Sequence, residues 1–80
     1  MSWLEHHQIS EAAASAAEAA VRSRNFSEAE RKFFQAAEAE TRALNSLEDN
    51  KVRTRGITAV SAVSLWFKAK AYETAEALAY

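Results

Sequence analysis

The two histidines of the chain, His6 and His7, stand near the N-terminus between Glu5 and Glu11. On a helix, His7 and Glu11 would be one turn apart, a spacing at which an imidazole and a carboxylate can bind the same metal ion. A metal site in a protein needs three or four ligands, and this segment offers them from a single helix only. We therefore expect no metal and no cofactor, and interpret both histidines as exposed polar residues near a frayed helix end.

Three carboxylates, Glu38, Glu40 and Glu48, could suggest acid–base catalysis. Glu40 falls among apolar residues on one face of its predicted helix, where a charge is costly to bury unless it is paired. General acid–base chemistry needs such a group in a cleft, with a partner. We expect instead a structural pair with Arg53 or a carboxylate at the edge of the apolar stripe, and the sequence predicts no enzyme.

Two arginines, Arg53 and Arg55, stand where a third helix should begin. Positive charge is unfavourable at this end of a helix because it opposes the helix dipole. One interpretation is contact with an anion or an acidic peptide. The other, which we favour, is pairing with Glu40, Glu48 or Asp49 around a solvated helix start.

The elements that position these side chains are organised around residues 25–37, NFSEAERKFFQAA. Asn25 is a good helix N-cap, and Glu28 occupies the capping-box position three residues later. The pattern predicts a turn followed by an amphipathic helix to about residue 47. Its apolar face, at helical spacing, is made of Phe26, Ala29, Phe33, Ala36, Ala37, Leu44 and Leu47.

The composition predicts an all-α fold of antiparallel helical hairpins, because alanine is abundant, proline and cysteine are absent, and glycine occurs once. We expect one domain over residues 1–80, with three long helices and a short fourth over about residues 2–23, 26–47, 50–69 and 72–80. Ser2 and Glu5 fit a capping box for the first helix.

The third predicted helix is apolar around most of its circumference, so we expect it to be the most buried of the set. Gly56 lies inside this helix, where glycine costs about 1 kcal/mol relative to alanine. We expect a neighbouring backbone to approach closely there, and a kink is the alternative. Trp3 and Trp66 could anchor a partner, but we expect both to pack within the fold.

Residues 25–37 resemble the turn and second helix of the tetratricopeptide repeat, a helical-hairpin unit. The resemblance rests on a polar–aromatic turn followed by small and aromatic residues at the family's spacing, which are Asn25, Phe26, Ala29, Phe33 and Ala36. The family's first helix would carry Trp, Leu, Gly and Tyr at four positions, where this chain has Ala13, Ala16, Ala17 and Ala20. Of these, Ala17 keeps the small residue that close helix packing requires.

The relation of Phe26 to Ala29 recurs in Tyr72 and Ala75, 46 residues later. The family's period is about 34 residues, so we expect the second and third helices to exceed the usual length. Residues 53–66 also resemble a group of short bacterial proteins with no assigned activity, whose chains run on past the corresponding point. We therefore expect either that the natural chain continues or that another copy covers the short final helix.

The resemblance implies a groove that holds peptides, lined by the first helix of each unit. Its positions would be Glu11, Ala14, Glu18, Val21 and Arg22 in the first unit. In the second unit they would be Ile57, Val60, Ser64, Phe67 and Lys68. The second set could be groove or core, and we favour core. The candidate partner-binding residues are Glu18, Arg22, Arg53, Arg55, Phe67 and Lys68.

The charge pattern argues against nucleic acid as a partner, because the net charge is −1 and the basic residues are dispersed. No apolar run approaches the about 18 residues of a membrane span, and the N-terminus lacks signal-peptide features, so we expect a cytoplasmic protein. We expect a non-catalytic protein–protein interaction module of tetratricopeptide-like type. The alternatives are a self-assembling structural module, with a homodimer favoured, or a regulatory partner of another bacterial protein.

Overall fold

The computed structural model describes the backbone of residues 1–79 and their side chains except those of residues 72 and 73. This part of the chain forms α1 (Trp3–Arg22), α2 (Phe26–Asn45), α3 (Val52–Lys68) and α4 (Tyr72–Ala79). The predicted all-α fold, with three long helices and a short fourth, is confirmed. Residue 80, predicted to end the fourth helix, lies outside the described residues.

The N-caps of α1 and α2 are the predicted ones. The Ser2 hydroxyl accepts a hydrogen bond from the Glu5 N–H at 3.2 Å, and the Glu5 carboxylate accepts one from the Ser2 N–H at 3.0 Å. Asn25 Oδ1 accepts from the Glu28 N–H at 3.3 Å, while the Glu28 side chain accepts from Arg31 instead of bonding back to the cap. These local bonds fix where the first two helices begin.

Helix α3 begins later than expected and without a side-chain cap. A start near residue 50 was predicted, but the N-cap is Lys51, whose side chain makes no capping hydrogen bond, and the first turn holds no acidic residue. This end of α3 therefore keeps its positive dipole without local compensation.

The turns after α1 and α3 share one backbone geometry. Arg24 and Lys70 both adopt positive φ angles, 58° and 63°. In each turn this residue donates its N–H to the carbonyl three residues earlier, and the next residue donates to the carbonyl five residues earlier, all at 2.9 Å. This is the Schellman arrangement, and it recurs at positions 46 residues apart, matching the spacing of Phe26 and Tyr72.

Helix α2 lies between α1 and α3, and α3 in turn packs against α4. The core is rich in alanine, which lets helix axes approach closely. Eight residues of α2 are buried, against four of α3, so the expectation that α3 would be the most buried helix is wrong. The main core cluster consists of Ala17, Ala20, Ala29, Phe33, Ala36, Ala37, Leu65, Trp66, Ala69 and Ala75.

Gly56 has nothing within 4 Å of the position that a Cβ would take. The expected close contact with a neighbouring backbone is therefore wrong. The glycine lies on an exposed face of α3, where neither a turn nor a tight approach requires it.

The two tryptophans pack within the fold, as predicted. Trp66 is buried, donates Nε1–H to Thr41 Oγ1 at 3.0 Å and meets the edge of Phe34 with ring centroids 5.1 Å apart. Trp3 is half-buried and donates Nε1–H to Thr58 Oγ1, also at 3.0 Å. The second of these bonds links the start of α1 directly to α3.

Candidate functional site

The outer face of α3 carries an apolar stripe. Ile57, Val60, Ser64 and Phe67 follow one another at intervals of three and four residues, which places them on one side of the helix. Ile57 is 63% exposed, Val60 71% and Phe67 52%. These residues were expected to be core, and that expectation is wrong because α3 packs on α2 through a different face, which buries Thr58, Ala62, Leu65 and Trp66.

Every charged residue within α3 is basic, and these are Arg53, Arg55 and Lys68. Arg53 is exposed and forms no ion pair with any residue that the structure describes. The expected pair with Glu40 is therefore wrong. Arg55 is half-buried and donates Nη1–H to the Leu47 carbonyl at 3.1 Å, so it ties the start of α3 to the segment that follows α2.

Lys68 lies at the other end of the stripe. Its Nζ stands 5.6 Å from the centroid of the Phe33 ring, a cation–π contact. Arg53 and Lys68 are 15 residues apart, which is about 22 Å along a helix. The two cations therefore flank the apolar stripe at its two ends.

The candidates on α1, Glu18 and Arg22, are both exposed. They have opposite charges one helical turn apart, a spacing at which such charges attract. The structure places them on a different helix from Arg53, Arg55, Phe67 and Lys68. The six predicted residues thus form two groups. Of the α3 group, Arg53, Phe67 and Lys68 lie on the side of the apolar stripe, whereas Arg55 lies on the side that packs on α2.

A polar cluster that the sequence did not predict joins α1 to α2. His7 Nδ1 lies 2.9 Å from Glu40 Oε1, and His7 Nε2 lies 2.9 Å from Glu11 Oε1. Glu40 is 1% exposed, and the Trp3 ring stacks on His7 at a centroid distance of 4.8 Å. The hydrogen bond to Glu40 raises the pKa of His7, against the opposite effect of burial.

This geometry corrects the expectation that His7 is an exposed residue at a frayed end. The pair could have been predicted from distances along the sequence, because residues equally far before and after the turn of a helical hairpin lie opposite each other. His7 lies 17 residues before Arg24 and Glu40 lies 16 residues after it, so an antiparallel pair of helices brings them to the same level. Because Glu40 is enclosed between the helices and hydrogen-bonded to His7, its geometry fits a structural role.

A shallow depression of about 520 Å³ lies on the outer side of α2, and sequence reasoning missed it. Phe34 is its aromatic wall, backed by the edge contact with Trp66. Two of its charged residues are paired, since Glu30 lies 3.7 Å from Lys70 and Arg31 forms an ion pair with Glu28. The lining residues are Ser27, Glu30, Arg31, Phe34, Gln35, Glu38 and Ala69.

Two searches for special sites ended without a candidate. Within the described residues, no three potential metal ligands converge in a geometry that would hold an ion. No helix in the same part of the chain has both the length and the apolar character needed to cross a membrane.

Comparisons with protein-family models, curated proteins and solved structures found no match to this chain. On the surface of the chain, three exposed large apolar residues, Ile57, Val60 and Phe67, lie together on the α3 stripe.

Proposed function

We propose that this chain is a non-catalytic, cytoplasmic protein–protein interaction module of tetratricopeptide-like type. Its docking face is the stripe of α3 formed by Ile57, Val60 and Phe67. The observation that carries the proposal is the exposure of Ile57 and Val60 side by side on a helix whose opposite face is packed. Contiguous exposed apolar residues bordered by charges are typical of a protein-binding surface.

The energetics of the stripe support docking by burial. Covering a Val or Ile side chain completely is worth about 1.5–3 kcal/mol relative to leaving it in water. Most of that burial energy has not been obtained at Ile57 and Val60 in the isolated chain, because more than half of each residue is accessible. A partner that covers both therefore gains binding energy that folding of this chain has not used.

The recurrence of the turn geometry supports the repeat interpretation. Arg24 and Lys70 have matching φ angles and matching hydrogen bonds, so the same turn between two helices occurs twice in the described part of the chain. Repeats of this kind bind partners along surfaces made by successive units.

The proposal is tested with Ile57→Gln/Val60→Gln. The matched control is Leu4→Gln/Ile9→Gln, which changes two exposed apolar residues of α1 that are 53% and 46% accessible. Both double variants should fold, as measured by circular dichroism. Each is used to capture binding proteins, and any protein held by the native chain is purified and titrated against all three chains by calorimetry.

We expect the α3 variant to lose the purified partner and the α1 variant to keep it. Binding to the native chain should also show a negative heat-capacity change, the mark of buried apolar surface. Equal affinity of the partner for the native chain and the α3 variant would reject α3 as the docking face.

Self-assembly is the second candidate function. It is favoured by the chemistry of α1, whose outer surface combines exposed Leu4 and Ile9 with exposed Glu11 and Glu18. Such a surface could meet the apolar and basic face of α3 in another copy, a head-to-tail contact that generates rings or filaments. Sedimentation equilibrium over a wide concentration range separates this from binding of a different protein.

A further inference from the structure

We infer that the partner of α3 is an amphipathic helix of another protein whose apolar stripe is bordered by acidic residues. The inference rests on the proposed docking face and adds the chemistry of what binds there. It is carried by the charges around the stripe, which have no acidic partner among the described residues, and by the geometry of the stripe itself.

The charges within α3 are all positive, and two of them, Arg53 and Lys68, lie on the side of the stripe. Arg53 has no ion pair among the described residues, Arg55 bonds to a neutral carbonyl, and Lys68 stands over an aromatic ring. None of these contacts cancels a full positive charge. The exposed Lys51 and the uncapped start of α3 add to the positive potential.

The segment before α3 carries two exposed carboxylates, Glu48 and Asp49, which lower the potential at the start of the helix but form no ion pair with its cations among the described residues. Three acidic residues of the other helices have neighbours of their own. Glu11 is engaged by His7, and Glu18 has Arg22 one turn away on its own helix. Glu30 already faces Lys70. Carboxylates supplied by a partner would therefore meet cations that form no ion pair among the described residues.

The same charges disfavour a second copy of α3 as the occupant. If two α3 helices paired antiparallel through the stripe, Arg53 of one copy would lie opposite Lys68 of the other. If they paired in parallel, each cation would face its own equivalent. Both orientations place like charges together, which opposes association.

The shape of the stripe fits a helix. Ile57 and Phe67, with Val60 between them, are ten residues apart, or about 15 Å, in a ridge along the axis of α3. Ser64, a small residue, separates Val60 from Phe67 and leaves room for a side chain of the partner. A partner helix can lay residues at i, i+3, i+4 and i+7 against such a ridge.

The test uses two synthetic peptides of about 15 residues, a length at which an isolated helix is marginal. Both carry leucine at i, i+3, i+4 and i+7; one has glutamates on both flanks and the other lysines. Binding to the full chain is measured by fluorescence anisotropy. We expect the glutamate peptide to bind about tenfold more tightly, and its affinity to fall as salt rises from about 50 mM to about 500 mM.

Arg53→Glu reverses one of the flanking charges without touching a packed side chain, because Arg53 is exposed. It should weaken the glutamate peptide and strengthen the lysine peptide. Arg22→Glu, a charge reversal on α1, is the matched control and should leave the preference unchanged. Ile57→Gln/Val60→Gln should abolish binding of both peptides.

The outcomes separate the two proposals. Equal affinity for the two peptides, or no effect of Arg53→Glu, overturns the acidic partner, while loss of binding with Ile57→Gln/Val60→Gln keeps α3 as the docking face. No binding of either peptide overturns the inference, and the capture experiment then decides on the docking face by itself. Self-association of the chain in about 50 mM salt, where the like charges are not screened, would place a second copy on the stripe and overturn the inference if Ile57→Gln/Val60→Gln abolished it.

Discussion

At the scale of single residues, the contact between His7 and Glu40 joins α1 to α2 through a buried carboxylate. Glu40 is 1% exposed and accepts hydrogen bonds from one ring nitrogen of His7, while Glu11 faces the other. A ring that donates from both nitrogens is protonated. Protonation of His7 therefore strengthens the contact, because a neutral ring can donate to only one of the two carboxylates.

We expect the free energy of unfolding to fall as pH rises from about 6 to about 8. The hydrogen bond to Glu40 raises the pKa of His7 above its ordinary value, so the folded chain holds this proton more tightly than the unfolded chain does. The stabilisation is complete below the unfolded pKa and is lost as pH passes through the raised folded pKa. Urea unfolding followed by circular dichroism at several pH values measures the slope.

The matched controls for this pH dependence are His7→Gln and His6→Gln. The first removes the titrating group but keeps a side chain able to donate to Glu40, so the slope between about pH 6 and 8 should decrease. The second changes the neighbouring histidine, which has no hydrogen bond to Glu40, and should keep the slope. An unchanged slope in His7→Gln would mean that another group is responsible.

The pair of His7 and Glu40 could not be predicted from periodicity, because periodicity shows which face of a helix is apolar but not which residue of the next helix lies opposite. Glu40 was recognisable as a polar residue on an apolar face. Its partner required the register of the hairpin, set by the position of the turn at Arg24. The expected partner, Arg53, lies in the first turn of α3. The residue of α3 that bonds to α1 is instead Thr58, which lies deeper in the helix, is buried and accepts from Trp3.

At the scale of elements, the chain has its one glycine where none is needed and lacks glycine at its two left-handed turns. Gly56 lies in open space on α3, whereas Arg24 and Lys70 adopt φ angles of 58° and 63°. Glycine is the residue best suited to positive φ and is among the least suited to a helix interior. Two substitutions should therefore stabilise the fold.

Gly56→Ala should raise the free energy of unfolding by about 1 kcal/mol. A methyl group at this position meets nothing within 4 Å, so only the helix propensity changes. Urea denaturation measures the effect, and Ala12→Gly, at an exposed position inside α1, should lower stability by a similar amount. A destabilised Gly56→Ala chain would indicate the close backbone contact that the sequence first suggested.

Arg24→Gly should also stabilise the chain, by up to about 1 kcal/mol, because a residue with a Cβ is strained at this φ. Arg24 is the better site than Lys70, since Lys70 also pairs with Glu30. Thermal unfolding checks the effect. Ser23→Gly, one residue earlier at a φ of −86°, is the control and should be neutral or destabilising.

The helices themselves were predictable because their signals are local. Caps such as Ser2 with Glu5, and Asn25 with Glu28, need no tertiary information, and both form hydrogen bonds in the structure. The exposure of α3 was not predictable, because a helix with apolar residues on most sides does not reveal which neighbours it has. Ile57 and Val60 became recognisable as surface only once α2 was seen to contact the opposite face.

At the scale of the whole molecule, the chain exposes more surface than a compact monomer of the same mass. Its accessible surface is 5312 Å², whereas about 4,800 Å² is expected for a compact monomer of 8.9 kDa. The principal extents of 41 × 25 × 16 Å show why, since the helices form a flat, elongated body. A flat body leaves helix faces such as the α3 stripe without internal cover.

Sedimentation equilibrium should show how that surplus surface behaves. We expect a monomer at micromolar concentration in about 50 mM salt, because any pairing of α3 with itself brings Arg53 and Lys68 of two copies together. In about 1 M salt, where the Debye length is about 3 Å, that repulsion is screened and weak dimers should increase. Ile57→Gln/Val60→Gln should remove the salt-induced dimers.

An oligomer that weakens as salt rises would point to a different interface. An oligomer that is stable at low salt and dissociates as salt rises must be held by unlike charges. Within this chain the acidic complement to α3 is the outer surface of α1, where Glu11 and Glu18 share one side of the helix with Leu4. Such a result would establish head-to-tail self-assembly, and the α3 stripe would then be an interface between copies of this chain.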